Sequence, residues 1–197
     1  MSGRARREQH KAELKGLILE AARDLFAQEG YERVSMRRLA QRVECAPGTL
    51  YLYFRDKDEL LRAVVEESFG ELLHTLQAIP GGGDALEGLK AKMRAYIEFG
   101  LRHPDHYRCA FVLPAARRTG EKPHAAFDEL RAAVRACARR DAPDDQAVEL
   151  ASQVVWSALH GLTSLLIARP QFPWVEREEL IEELIETATT AVMRVRA

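Results

Sequence analysis

A short stretch in the first third of the chain carries a dense set of hydrogen-bonding side chains. Pro47 can open a helix there, because its missing N–H would have no helical partner at the first position. Leu50 and Phe54 are four residues apart and would face inward, which leaves the other faces of this helix polar. Hydroxyl and ammonium groups on an exposed helix can bond phosphate oxygens and base edges. The side chains concerned are Thr49, Tyr51, Tyr53 and Lys57.

A second short helix is predicted directly before this one. Ser35 is a favourable N-cap, since its hydroxyl can accept a hydrogen bond from the first turn. Leu39, Ala40 and Val43 follow with the apolar spacing of a helix that packs on one side. A break at 44–46 separates the two helices. Two short helices joined by a tight turn indicate a helix-turn-helix, whose second helix can enter the major groove of DNA.

The run Gly48–Phe54 (GTLYLYF), followed by Lys57 and Leu60–Leu61, closely resembles the DNA-binding domain of TetR-type transcriptional repressors. An apolar helix over 18–26 and the pair Gly30–Tyr31 belong to the same resemblance, which extends over residues 15–65. It implies that the partner is a double-stranded DNA operator. The residues predicted to contact DNA are Met36, Arg37, Pro47, Gly48, Thr49, Tyr51, Tyr53 and Lys57.

Different roles are expected within this set. Lys57 and the phenolic groups of Tyr51 and Tyr53 are placed to meet phosphates, although Tyr51 could instead pack in the core. Thr49, at the leading end of the recognition helix, could meet a base edge, a thymine methyl or a phosphate. Arg37 begins the first helix of the pair, which crosses the DNA backbone in this geometry.

The joint between the two helices departs from the family pattern at two positions. Relatives usually have glycine where Glu44 stands and often serine where Ala46 stands. A left-handed conformation at Glu44 would cost about 1 kcal/mol. Ala46 has no side-chain oxygen, so it cannot cap the recognition helix. Glu44 also places a negative charge near DNA.

Charge is distributed unevenly along the chain. The net charge of the whole chain is -1, yet residues 1–57 carry 12 Lys/Arg against 8 Asp/Glu and the remainder carries 17 against 22. A basic N-terminal part on an acidic body indicates that the first part meets polyanions. Arg4, Arg6, Arg7 and Lys11 form a basic arm, which either follows the DNA backbone or minor groove or is a disordered, solubilising terminus.

The rest of the sequence predicts an all-α architecture of about nine helices, with a DNA-binding domain over 1–57 and an effector-binding and dimerisation domain over 58–197. A long helix begins after a cap at Asp56 or Asp58, and Asp84 begins another. Pro104 opens a short helix, and 114–124 reads as a loop. One more helix ends near 141, and two strong ones span 147–167 and 176–195. No strand signal or internal repeat is found.

The family resemblance implies a homodimer formed by the last two helices and a small-molecule effector bound in the C-terminal body. Trp156 and the pair His160–Gly161 also resemble a marker of one TetR branch. The predicted dimer residues are Val155, Leu159, Leu162, Leu166, Ile181, Leu184, Ile185, Ala188 and Val192. The predicted effector residues are Phe69, Leu73, Met93, Tyr96, Phe99, His103, Tyr107, Phe111, Trp156 and His160, which favour a hydrophobic or amphipathic ligand.

Other classes of protein find less support. Three scattered cysteines favour a reducing cytoplasm, and no apolar run approaches the ~20 residues of a membrane span. The triplet His103, His106 and Cys109 contains Pro104 and lacks a fourth ligand, so no metal or cofactor is predicted. No motif of a helical-bundle enzyme is present. The alternative to a regulator is a helical protein-interaction module without specific DNA binding.

Overall fold

The computed structural model describes residues 3–80, 83–111, 124–137 and 144–196, and no strand occurs within these ranges. The helices agree with the prediction of an all-α chain. They are α1 (Gly3–Glu29), α2 (Met36–Arg42), α3 (Pro47–Leu50), α4 (Lys57–Gln77), α5 (Ala85–Arg102), α6 (Pro104–Phe111), α7 (His124–Ala136), α8 (Asp145–Ala168) and α9 (Arg177–Arg196), with a 3₁₀ turn at Tyr31–Arg33. Most of the loop predicted over 114–124 lies outside the described residues.

The chain divides into two compact units. Unit 1 comprises Met1–Ser68 and Asp105–Glu121, and unit 2 comprises Phe69–Pro104 and Lys122–Ala197. Helix α4 is continuous, and its first twelve residues belong to unit 1. The predicted domain boundary at 57/58 coincides with the start of α4. The contacts within the chain, however, assign α4 to unit 1 as far as Ser68.

The core of unit 1 forms where the apolar faces of its short helices meet. Ile18 and Phe26 of α1, Leu39 of α2, Leu50 of α3 and Leu61 of α4 are all at most 1% exposed. The apolar spacing read from the sequence accounts for each of these positions. Helices as short as α2 and α3 are marginal alone, so packing on this shared core must fix them.

Helix α1 reaches much further toward the N-terminus than the apolar segment predicted over 18–26. Residues 4–13 are helical and exposed, and the basic residues of the predicted arm lie on these turns. The alternative of a disordered terminus is therefore wrong, and contact of this arm with DNA stays a prediction. Charged and polar residues with good helix propensity continue the helix beyond the part that packs.

Unit 2 is built from α5, α7, α8 and α9, with α8 packed against the other three. Eight of the nine residues predicted to form the dimer interface lie in this core: Val155, Leu159, Leu162, Leu166, Ile181, Ile185, Ala188 and Val192 are each at most 8% exposed. Only Leu184 is half-buried. The structure corrects the predicted dimer interface at these eight residues, because side chains buried in the core of one protomer cannot also pack against a second protomer.

Helix α8 is the one helix among the described residues that is long and apolar enough to cross a membrane by length and composition. The expectation that no apolar run approaches this length is thus wrong for α8. Core helices of proteins outside membranes pass the same test, so the finding is weak evidence for a span. Val148, Val155 and Leu159 put one face of α8 in the core of unit 2.

The joint between α2 and α3 has the strained conformation considered from the sequence. Glu44 has a φ of 56° and is the one non-glycine residue with positive φ within the described ranges. Its N–H still donates to the carbonyl of Gln41 at 3.3 Å. A side chain in this region crowds its own backbone, whereas glycine does not.

We expect Glu44→Gly to raise the free energy of unfolding by up to about 1 kcal/mol, because it removes this crowding. Glu44→Ala is the matched control, since it removes the same charge and keeps a Cβ. Urea denaturation followed by circular dichroism measures both variants. An equal gain in the two variants would show that charge, and not backbone conformation, sets the stability of the joint.

Candidate nucleic-acid interface

The start of α2 is capped as the sequence predicts. The Ser35 hydroxyl accepts a hydrogen bond from the Arg38 N–H at 3.2 Å. Arg38 forms two hydrogen bonds with the Glu29 carboxylate, one of them 2.6 Å long, so its guanidinium ties α2 to the end of α1. Arg37 is exposed on the other side and is available to DNA.

Met36 was predicted to contact DNA, but the structure places it in the core of unit 1. Its side chain is 8% exposed, so little of it can reach a ligand. The sequence predicted contact from its position at the helix start, which is also a position where an apolar residue can turn inward under the cap. We therefore remove Met36 from the candidate interface.

The recognition helix is shorter than the sequence suggests. Helix α3 ends at Leu50, and a turn follows in which the N–H groups of Leu52 and Tyr53 donate to the carbonyls of Thr49 and Leu50. Leu50 and Phe54 are buried as predicted. Ala46 precedes the helix without a side-chain cap, also as predicted.

The candidate contact groups of α3 and of this turn differ in how far they are exposed to solvent. Tyr51 is 55% exposed, so the alternative that it packs in the core is wrong. Thr49 and Tyr53 are half-buried, and the backbone of Pro47–Gly48 lies at the exposed leading end. Leu52 is 78% exposed, and the sequence analysis missed it because an apolar side chain there resembles one more core position.

The ammonium group of Lys57 is held inside unit 1. Its Nζ donates to the carbonyl of Tyr31 at 2.9 Å and to that of Val34 at 2.8 Å. The same nitrogen lies 4.0 Å from the centroid of the Tyr31 ring, a cation–π contact. The Tyr31 hydroxyl in turn donates to the Asp58 carboxylate. These contacts favour a positioning role for Lys57, which ties the start of α4 to the segment before α2, and a phosphate contact remains a prediction.

A reciprocal cap begins α4 beside Lys57. The Asp56 carboxylate accepts from the Glu59 N–H at 2.7 Å, and the Glu59 carboxylate accepts from the Arg55 N–H at 2.7 Å. The hydrogen bond from the Glu59 backbone holds the pKa of Asp56 below its usual value, with a further contribution from Arg55. Of the two caps considered from the sequence, the structure selects Asp56.

The residues predicted to bind an effector fall in both units. Met93, Tyr96 and Phe99 are buried in unit 2. Tyr107 and Phe111 pack against each other in unit 1 with tilted rings, 4.7 Å between ring centroids. The remainder of the set belongs to unit 2: Phe69, Leu73, His103, Trp156 and His160. A pocket lined by all ten remains a prediction.

A small aromatic cluster surrounds His160 in unit 2. The ring of Trp156 lies 5.7 Å from that of Phe127 and 6.0 Å from that of His160. The Ser164 hydroxyl lies 3.4 Å from Nε2 of His160, and partial burial lowers the pKa of this histidine. Within the described part of the chain, no three His, Cys, Asp or Glu side chains converge as a metal site would require.

We expect Lys57→Met to lower the free energy of unfolding by about 2 kcal/mol, because two carbonyl groups lose a charged donor. Arg55→Met is the matched control, since it removes an adjacent cation whose side chain is 78% exposed. That variant should stay within about 0.5 kcal/mol of the parent. Thermal and urea unfolding of both variants provide the measurement, and equal losses would contradict the positioning role.

Comparison with known proteins agrees with this geometry. A family model described as bacterial regulatory proteins of the tetR family matches residues 18–64. A second model, the tetracyclin repressor-like C-terminal domain, matches residues 89–188, which is more than half of the chain. The two matches fall on the helix-turn-helix and on the helices of unit 2.

Two curated relatives and one solved structure illustrate the similarity. The fatty acid metabolism regulator protein of Bacillus subtilis is 30% identical over 46% of this chain and 42% of its own length. The transcriptional repressor KstR of Mycolicibacterium smegmatis is 31% identical over 63% of this chain and 60% of its own length. The chain thus spans about two to three fifths of the length of these relatives.

The crystal structure of a TetR family transcription regulator from Marinobacter aquaeolei shares the fold. The TM-score is 0.74 with 20% sequence identity, covering 93% of this chain and 97% of the other. Helix order, the geometry of the helix-turn-helix and the two family models lead to one assignment. The chain belongs to the tetR family of bacterial regulatory proteins.

Proposed function

We propose that the chain is a dimeric transcriptional repressor that binds a DNA operator through unit 1 and is released by a small molecule bound in unit 2. The observation that carries the proposal is the exposed end of the recognition helix, with Thr49, Tyr51 and Tyr53 on a rigid three-helix support. Hydroxyl groups fixed in this way can bond phosphates and base edges. We place the protein in the cytoplasm, where its operator would be.

The chemistry of unit 2 favours an apolar or amphipathic effector. Met93, Tyr96 and Phe99 supply apolar surface on α5, and His160 on α8 offers a polar group beside Trp156. One relative is named as a regulator of fatty acid metabolism, which is compatible with such a ligand. An effector would have to bind better to the conformation that fits DNA poorly.

We propose the dimer surface from exposed residues of α8, since eight of the nine residues predicted for it are buried. Leu150, Val154 and Leu165 of α8 are 64%, 45% and 50% exposed. With Ser157 and Gly161 they follow i, i+4, i+7, i+11 and i+15, which places all five on one side of the helix. We call these five residues the α8 stripe. An exposed apolar stripe of this length fits the self-complementary contact of a two-fold dimer.

Gly161 supports the same surface. A Cβ built at this glycine would meet no atom within 4 Å in the protomer, so packing inside the chain does not require glycine there. Glycine inside a helix can allow a close helix contact, and the protomer makes none at Gly161. A second copy of α8 crossing at Gly161 would supply it. Glycine inside a helix is about 1 kcal/mol less favourable than alanine, and a close helix crossing accounts for its presence.

We expect Leu165→Glu to shift the protein from dimer to monomer, because it puts a charge in the middle of an apolar contact. Leu17→Glu is the matched control, since Leu17 is a comparably exposed leucine at 55% on unit 1. Sedimentation velocity over a range of protein concentrations measures both variants. A Leu165→Glu protein with the sedimentation behaviour of the parent would contradict the α8 stripe as the interface.

DNA binding is tested by fluorescence anisotropy with the region upstream of the chain's own gene, at about 50 and 200 mM salt and with nonspecific competitor. Specific binding that survives the competitor is the expected result. Tyr53→Phe and Arg37→Ala should each weaken it, the latter with a salt dependence smaller by about one phosphate contact per protomer, or about two per dimer. Arg177→Ala, an equal charge change on unit 2, is the control and should bind as the parent does.

The opposite result would favour the interaction-module alternative. If binding in the assay is weak, independent of sequence and unchanged by Tyr53→Phe and Arg37→Ala, the recognition helix does not read DNA. The dimer experiment remains informative in that case, since the α8 stripe does not depend on DNA binding.

A further inference from the structure

The N-terminal turns of α1 and the end of the recognition helix enclose a basic groove of about 740 Å³. Four basic side chains of α1 line one wall: Arg6, Arg7, His10 and Lys11. Leu52 and Tyr53 form the other wall, and no carboxylate is among these lining residues. All six belong to unit 1.

The basic wall is a consequence of helix geometry. Arg6 and His10 are four residues apart, as are Arg7 and Lys11, so the two pairs lie side by side on one face. Continuing from Lys11 along this face leads to Leu14, half-buried, and to Ile18, fully buried against the core of unit 1. The face that packs under the helix-turn-helix is therefore basic where it extends past the core.

The nearby acidic residues do not neutralise this wall. Glu8 accepts a hydrogen bond from Arg4 at 3.2 Å, and Glu13 accepts one from Gln9 at 3.0 Å. Neither carboxylate lines the groove, and no ion pair is seen for Arg6, Arg7 or Lys11 among the described residues. Exposed guanidinium and ammonium groups without a protein partner are what a phosphodiester chain recognises.

We propose that this groove holds the sugar-phosphate backbone of duplex DNA, at base pairs that flank those read by the recognition helix. Arg7 and Lys11 are its principal phosphate contacts. The proposal rests on the DNA-binding function proposed above and adds a second contact region to it. Tyr53 joins the two regions, since it lines the groove and also ends the recognition turn. A DNA backbone bound in the groove would strengthen binding to any sequence and would fix the register of the helix-turn-helix on the duplex.

The test compares two double variants of the full-length chain. Arg7→Ala with Lys11→Ala removes two charges from the groove. Lys15→Ala with Arg177→Ala is the control, because it removes two charges at positions that do not line the groove, one on the same helix and one on unit 2. Both doubles are titrated against a random-sequence duplex of about 30 base pairs and against an operator selected from a random pool, at several salt concentrations.

The groove variant should show a salt dependence smaller by about two phosphate contacts per protomer on both duplexes, which is a slope change of about 3.6 for the bound dimer. Its preference for the operator over the random duplex should be unchanged, because phosphate contacts carry no sequence information. The control double should keep the slope of the parent. Equal changes in the two doubles, or none in the groove variant, would overturn the proposal.

Operator length provides a second, independent readout. Trimming the operator to the bases under the recognition helices should remove the difference between the parent and the groove variant, and adding flanking base pairs should restore it. A difference that persists on the trimmed operator would also overturn the proposal. Failure of the parent to prefer any operator would contradict the proposed regulator, whereas the random duplex would still test the groove.

Discussion

The helix-turn-helix formed by α2 and α3 depends on the position of one ammonium group, that of Lys57. Lys57 donates to the carbonyls of Tyr31 and Val34, which lie just before α2, while its own backbone starts α4. The two short helices that would read DNA lie between these points in the sequence. Because α2 and α3 are too short to be stable alone, the geometry of the turn carrying Tyr51 and Tyr53 depends on this closure. The Tyr31 ring covers the ammonium group and reduces its exposure to water.

Two further interactions complete the support. Arg38 joins α2 to Glu29 at the end of α1, and Asp56 and Glu59 cap the start of α4. Helices α2 and α4 are thus each fixed in their first turn by charged side chains, whereas α3 is held by the packing of Leu50 in the core. The strained residue Glu44 can persist at the joint since its surroundings determine its conformation.

The fold could be predicted from the sequence because its helices are indicated by local patterns, namely capping residues and apolar periodicity. Ser35, Pro47 and Asp84 mark helix starts by capping chemistry, and each was confirmed. The conformation of Glu44 could be anticipated because its position in the joint requires positive φ. Periodicity also found the cores of α8 and α9, but it does not say which side of an apolar helix meets its own chain. The dimer residues were therefore assigned to the face that the structure shows to be buried, and the exposed α8 stripe, now proposed in their place, was not considered.

The candidate interface was predicted less completely for a related reason. Burial of Met36 at the start of α2 and exposure of Leu52 in the turn after α3 depend on how these short helices are oriented on the core, which no local pattern specifies. The basic residues of the N-terminal turns were noticed from their charge, yet their helical state and their place beside Tyr53 follow only from the path of α1. Lys57 was predicted to contact a phosphate, and its two hydrogen bonds to carbonyls could not be foreseen because those carbonyls lie more than twenty residues earlier.

The α8 stripe has a consequence for the amount of this protein in a cell. A protomer alone exposes Leu150, Val154 and Leu165 to water, and in the dimer proposed above a second copy would cover these side chains. Folding and association are then coupled, so thermal stability should rise with protein concentration. Newly made chains at low abundance would be the ones most open to proteases and chaperones, and turnover would fall as pairs accumulate. The supply of competent regulator would accordingly grow more steeply than its rate of synthesis.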